Sequence, residues 1–169
     1  NYSFQVSALM KTFLDRLAFN FHRPCFFGKT FTCIVAQGIS KGEDIVKYLS
    51  FVGKGLGFNV VNGSCIKTLE PMTEKGQKKT DRIIYTLSKK FYAQLVKNEY
   101  PAPSLFWLMA FRMARTSMKK MLNENWRDFT YFREHGWFES EYFYPVKLNP
   151  LKKLSGKLFD KLAIYIIRS

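Results

Sequence analysis

Few side chains in this sequence have the type and spacing to do chemistry by themselves. His22 and His135 stand alone, without the spacing of a metal-ligand pair, so no metal site is expected. Cys25, Cys33 and Cys65 form no Cys-x-x-Cys pattern, which argues against a dithiol or a metal cluster ligated here. Cys33 sits in an apolar run, where cysteine behaves as a small hydrophobe. Asp15 and Arg16 read as a structural pair or helix cap rather than as an acid–base couple. Arg23 has two readings, a contact to a cofactor phosphate or a solvated arginine, and the second is the plainer. Two polar loops remain: Asn1-Tyr2-Ser3-Phe4-Gln5-Val6-Ser7 and Gln37-Gly38-Ile39-Ser40-Lys41-Gly42. Gly38 and Gly42 let main-chain N–H and C=O groups approach a ligand closely.

The elements that must position these loops follow from periodicity. Met10, Phe13, Leu14 and Leu17 recur at helical spacing behind Ser7, a candidate N-cap, and predict a helix over about 7–20. Arg23-Pro24 breaks it. Thr30–Ala36 is a β-rich run without polar alternation, as expected of a strand buried on both faces. Ser40 and Glu43 have capping-box spacing, and a helix over about 41–55 ends at Gly55-Leu56-Gly57. Residues 58–66 predict a second strand, interrupted near Gly63. Pro71 is placed as the first residue of a helix reaching about 98. The order α-β-α-β-α predicts a parallel α/β sheet with right-handed crossovers. Two strands do not make such a sheet stable, so further strands are expected before residue 1 or in another chain.

After Tyr100-Pro101-Ala102-Pro103 the texture changes, and the domain division is placed at 1–98 and 99–169. A Met- and aromatic-rich helix is predicted over 104–122, followed by an aromatic stretch from Trp126 to Tyr144. Asn149-Pro150 is an N-cap followed by proline, opening a last helix over 150–167. Its Leu151, Leu154, Leu158, Leu162 and Tyr165 oppose Lys152, Lys153, Lys157 and Lys161.

Composition narrows the function classes. The 169 residues carry a net charge of +14, 47% hydrophobic and 17% aromatic residues, so a packed core rather than disorder is expected. The excess charge is shared by both halves, so no single basic tail explains it. No apolar run reaches the roughly 20 residues of a membrane span. No signal peptide is visible. The odd number of cysteines suits a reducing compartment, hence a cytoplasmic protein. The charge fits nucleic acid, an anionic membrane or anionic small molecules.

The opening run, with its Lys11-Thr12-Phe13-Leu14-Asp15-Arg16, then Arg23-Pro24, Gly28-Lys29 before a strand, and Gln37-Gly38 with Gly42, resembles the flavodoxin-like NAD(P)H-dependent FMN reductases and related flavodoxin-type oxidoreductases. The resemblance covers about residues 1–98. It implies a flavodoxin-like parallel sheet with flanking helices and an enzyme that passes electrons from NADH or NADPH through FMN to a quinone, flavin or protein acceptor. A homo-oligomer is expected. The resemblance also implies that Asn1, Tyr2, Ser3, Phe4, Gln5, Val6 and Ser7 frame one side of the flavin ring and Gln37, Gly38, Ile39 and Ser40 another. Tyr2 and Phe4 would supply an aromatic wall; core aromatics at a strand end is the other reading, and the Lys-x-Phe-x-Asp-Arg context favours the wall. No catalytic acid or base is implied, because hydride transfer is the cofactor's own chemistry. In that family a Ser/Thr-rich loop after the first strand holds the FMN phosphate. That loop is absent from these residues, so the chain is expected to be the C-terminal part of a larger flavoprotein. Residues 99–169 resemble, more weakly, an extension of some bacterial members.

The rival reading is a non-catalytic binding module. It would dock through its basic, amphipathic C-terminal region, with 150–167 lying on an anionic membrane or against a partner. A lysine-bearing solvent face is an equally good reading of that helix. The aromatic stretch suits base stacking in principle, but its usual meaning is packing, and no recognition motif supports nucleic acid.

Overall fold

A computed structural model describes residues 5–38, 42–97 and 99–168. The chain divides into two compact units, Asn1–Glu99 and Tyr100–Ser169.

The first unit is α/β. Helix α1 (Ala8–Arg16) starts where the Ser7 hydroxyl accepts from the Met10 N–H at 3.3 Å. It is shorter than its periodicity predicts. The Leu17 N–H turns back to the Leu14 carbonyl, three residues earlier, and a 3-10 turn, Ala18–Phe21, takes over. The strand expected at 30–36 is broken into β1 (Thr30–Phe31) and β2 (Ile34–Gln37). Nor is it buried on both faces: Val35 and Gln37 are buried, while Ile34 is 51% exposed and Ala36 is exposed. One face of β2 therefore lies open, contrary to the reading from its unbroken apolar run.

Helix α2 (Gly42–Gly55) crosses over to β3 (Asn59–Val60) and β4 (Ser64–Lys67). β1 pairs with β3 and β2 with β4, both in parallel. Between β3 and β4 lie three residues, against two between β1 and β2, so the register slips by one, as at a bulge. Hydrogen bonds from Val61 N to Phe31 O and from Ser64 N to Cys33 O carry the pairing through this break. Gly63 is required there, because a Cβ at that position would lie 2.3 Å from the Cys33 carbonyl oxygen. The described residues thus form two short parallel pairs, and a full flavodoxin-like sheet is not among them.

Helix α3 (Glu74–Leu95) begins later than Pro71. The Glu70–Pro71 bond is cis, and the Thr73 hydroxyl accepts from the Gly76 N–H at 3.1 Å, so Thr73 is the cap. The core of this unit is Leu14, Val52 and Leu56, with Phe26 and Phe58 stacked against it at 4.5 Å between ring centres.

The second unit is helical. α4 (Leu105–Met121) is capped by Ser104, and α5 (Arg127–Glu134) packs beside it. α6 (Pro150–Arg168) opens with the Asn149 side-chain oxygen accepting from the Lys152 N–H at 2.8 Å. The aromatic stretch packs on itself. Phe111 and Phe132 are fully buried, Phe143 lies 4.5 Å from Phe111 between ring centres, and Trp137 meets Phe132 edge-on at 5.0 Å. The rings that read as candidate stacking platforms are largely each other's partners.

Gly63→Ala drives a methyl group into the Cys33 carbonyl and should cost about 1–3 kcal/mol, read as a lower urea midpoint. An unchanged midpoint would remove the close approach from the account of the strand break. In the second unit, burial pushes the Tyr142 phenol well above its ordinary 10.0, and burial with the neighbouring Tyr100 pushes Tyr144 up to about 12. A pKa raised in the folded state stabilises fully below the unfolded value and loses that contribution as pH climbs. Trp137 fluorescence should therefore report unfolding as pH rises from 10 towards 12, and Tyr142→Phe should move that midpoint upward. No movement would mean that another group drives alkaline unfolding.

Candidate functional site

Parallel pairing brings the carboxyl ends of β2 and β4 to one edge, so Gln37 and Lys67 lie side by side in register. Open parallel sheets bind ligands at this edge. The Thr68 N–H donates to the Gln37 carbonyl at 3.1 Å and extends the pairing by one more bond. Gln37 is buried, and Gly38 follows it at the rim. Among the described residues, a Cβ on Gly38 would meet Leu69 at 3.8 Å, an ordinary van der Waals contact.

Gly42, the first residue of α2, is packed differently. A Cβ there would lie 2.2 Å from the Cys65 sulfur and 2.6 Å from the Gln37 side-chain oxygen. Its lack of a side chain serves close packing of the helix start on β2 and β4, rather than leaving room for a ligand. Glu43 and Asp44 in the first turn of α2 complement the helix dipole.

Cys65 and Lys67 line a cavity of about 510 Å³ together with Leu69, Met72, Thr73 and Lys79. That volume falls within the range of small-molecule sites, roughly 300–1,000 Å³. Lys67 and Lys79 give it a positive rim against Glu43. Desolvation, and secondarily Glu43, hold the Cys65 thiol above its ordinary pKa, while Lys67 and a bond to the Gly42 backbone oppose them. Burial raises the Cys33 thiol in the same direction. Both thiols are thus poor nucleophiles at neutral pH.

Of the residues expected to frame a ligand, Asn1, Tyr2, Ser3, Phe4, Ile39 and Ser40 lie outside the described residues, as does the Ser40 half of the capping box. Gln5 is exposed, Val6 half-buried, and the Ser7 hydroxyl is engaged in capping α1. Gln37 and Gly38 stand at the carboxyl edge. Sequence reasoning did not identify Cys65, Lys67, Leu69, Thr73 or Lys79. The usable signal was the second strand itself: in a parallel pair its end must share the edge of the first.

The remaining chemistry-bearing residues have structural partners. Asp15 pairs with Lys11, one turn earlier, rather than with its neighbour Arg16. The Arg23 guanidinium lies over the Phe19 ring at 5.4 Å. Among the described residues, no group of three or more His, Cys, Asp or Glu is placed to hold a metal ion.

Thiol chemistry tests this arrangement. Cys25 is exposed and should react first with a maleimide at neutral pH. Cys33 and Cys65 should lag, with rates that go on rising beyond pH 9.0, because only the thiolate reacts. Equal rates at neutral pH for all three would contradict the described burial. Comparison with known proteins finds no matching family model, no matching curated protein and no matching solved structure.

Proposed function

We propose that this chain serves an FMN-dependent NAD(P)H oxidoreductase of flavodoxin-like type. The observation that carries the reading is the shared carboxyl edge of two parallel strands. There Gly38 stands at the edge, an added Cβ 3.8 Å from Leu69, and Leu69 lines a cavity together with Lys67 and Lys79. The chemistry of the donors suits a flavin ring: main-chain groups at Gln37-Gly38 can meet its polar rim, and apolar Leu69 and Met72 stand nearby. FMN, when bound, supplies the hydride-accepting centre.

The chain's own residues bind and orient. Gln37, Gly38, Ile39 and Ser40 hold one side of the ring through backbone groups, and Asn1–Ser7 holds the other, with Tyr2 and Phe4 as the wall. Lys67 and Lys79 attract the phosphate groups of NADH or NADPH and favour their approach over that of neutral molecules. The electron acceptor is a quinone, a second flavin or a protein.

The test uses protein expressed from its complete coding sequence. It should purify with visible flavin absorption, or gain it with FMN and melt at a higher temperature when FMN is added. It should then oxidise NADH or NADPH in the presence of a quinone. Gly38→Leu, which places a side chain at that edge, should weaken FMN binding while leaving the melting temperature of the flavin-free protein unchanged. A colourless protein whose melting FMN does not shift would overturn the assignment.

A further inference from the structure

α6 turns its leucines outward. Leu151 is 67% exposed, Leu154 59%, Leu158 56% and Tyr165 72%, and Leu162 and Ile166 are exposed beside them. The face that packs on α4 is a different one, and polar contacts fix it. The Asp160 carboxylate accepts from Arg112 Nε at 3.2 Å, Arg115 Nη2 at 2.8 Å and Thr116 Oγ1 at 2.8 Å, all on α4. Gly156 is buried one turn earlier, where a Cβ would touch the Arg112 guanidinium at 3.4 Å. Lys152 Nζ donates to the Pro103 carbonyl at 2.7 Å. Rotating α6 to bury its leucines would break every one of these contacts.

At about 100° per residue, the surface of α6 falls into three arcs. Gly156, Phe159, Asp160 and Ala163 face α4. Leu151, Leu154, Leu158, Leu162 and Tyr165 share a second arc about 80° wide. Lys153, Lys157, Lys161 and Arg168 occupy the third, directly beside the leucines. The only acid of the helix, Asp160, is turned inward, so the outer surface is apolar and cationic with no anion on it. Glu141 approaches Lys153 at 3.8 Å, whereas Lys157, Lys161 and Arg168 have no ion-pair partner among the described residues. The helix is not long and apolar enough to cross a bilayer.

We propose that this face of α6 docks on an anionic membrane surface, its leucines and Tyr165 entering the headgroup–acyl boundary and Lys157, Lys161 and Arg168 meeting anionic headgroups. An exposed row of large apolar side chains with adjoining cations is the pattern of an interfacial helix. The long lysine stems let their charges reach the headgroups while the leucines sink. Charge selects the occupant. A second copy laid on this face would bring an all-cationic flank against another of its kind, whereas acidic lipids neutralise it. The proposal is independent of any flavin.

The test is co-sedimentation of the full chain with vesicles of phosphatidylcholine containing phosphatidylserine, and of phosphatidylcholine alone. Binding should be tighter to the acidic vesicles and should weaken as salt is raised. Lys157→Gln with Lys161→Gln should lower affinity for the acidic vesicles about 30-fold. Leu158→Ser with Leu162→Ser should weaken binding to both kinds. These side chains are exposed, so near-ultraviolet circular dichroism should stay unchanged in both variants. The proposal is overturned if the full chain stays in the supernatant, or if binding survives both pairs of substitutions. A dimer that Leu158→Ser dissociates, without vesicle binding, would assign the face to a second copy instead. Colourless protein whose melting FMN does not shift, but which binds acidic vesicles, would keep this proposal and remove the flavin reading.

Discussion

Strands that run parallel cannot be joined by a tight turn, and the first unit is organised by that constraint. To leave β2 and re-enter alongside it as β4, the chain must cross the length of the pair, and α2 is the crossover. The crossover has to begin immediately beyond β2. Gly42 answers this need, lying so close to Cys65 and the Gln37 side chain that a Cβ would not fit. The same geometry sends both strands out at one edge, which is why Gln37 and Lys67 become neighbours although thirty positions separate them. The cavity at that edge follows from the fold direction and owes nothing to a local sequence motif.

The second unit rests on a different contact. Two guanidinium groups and a hydroxyl converge on the one carboxylate of α6, with little exposure of any of them. Burial and the neighbouring Arg112 pull the Arg115 guanidinium below its ordinary pKa, and Asp160 pulls it back. Such a knot contributes little net stability, because its desolvation offsets much of the attraction. Its effect is orientational. It fixes the rotation of α6 on α4, and hence which residues form the inner face and which face water. The aromatic packing around Phe111 and Phe132 draws on α4, α5 and the segment that follows α5.

The local parts of this fold were legible in the sequence. Ser7 and Asn149 each cap the helix they precede, since capping requires only a side chain and an N–H two or three residues on. The α/β character was legible too, from the alternation of helical and extended runs. What was lost depends on distant neighbours. Thr30–Ala36 reads as one buried strand, yet it breaks where Gly63 of another segment presses on Cys33. Pro71 has the composition of a helix start, but Thr73 supplies a hydroxyl where proline supplies none. At the site, Gln37-Gly38 was named from its glycine, while Cys65 and Lys67 carry no local mark and depend on the strand register.

The α6 stripe shows why periodicity identifies an apolar face without saying what covers it. Leu151, Leu154, Leu158 and Leu162 have the spacing of a core stripe, and transfer energetics alone would bury them at roughly 1.5–3 kcal/mol each. The single Asp160 in a lysine-rich helix was the contrary signal. An acid amid so many cations has partners at hand on the surface, so its burial against Arg112 and Arg115 has to come from the helix packing through that side. Once that side is taken, the leucines lie more than about 100° from Asp160 around the helix, on its exposed surface. The net charge of +14 acquires a location from the same argument. With Asp160 turned inward, the last helix presents its cations to the outside without a compensating acid, beside an exposed row of leucines.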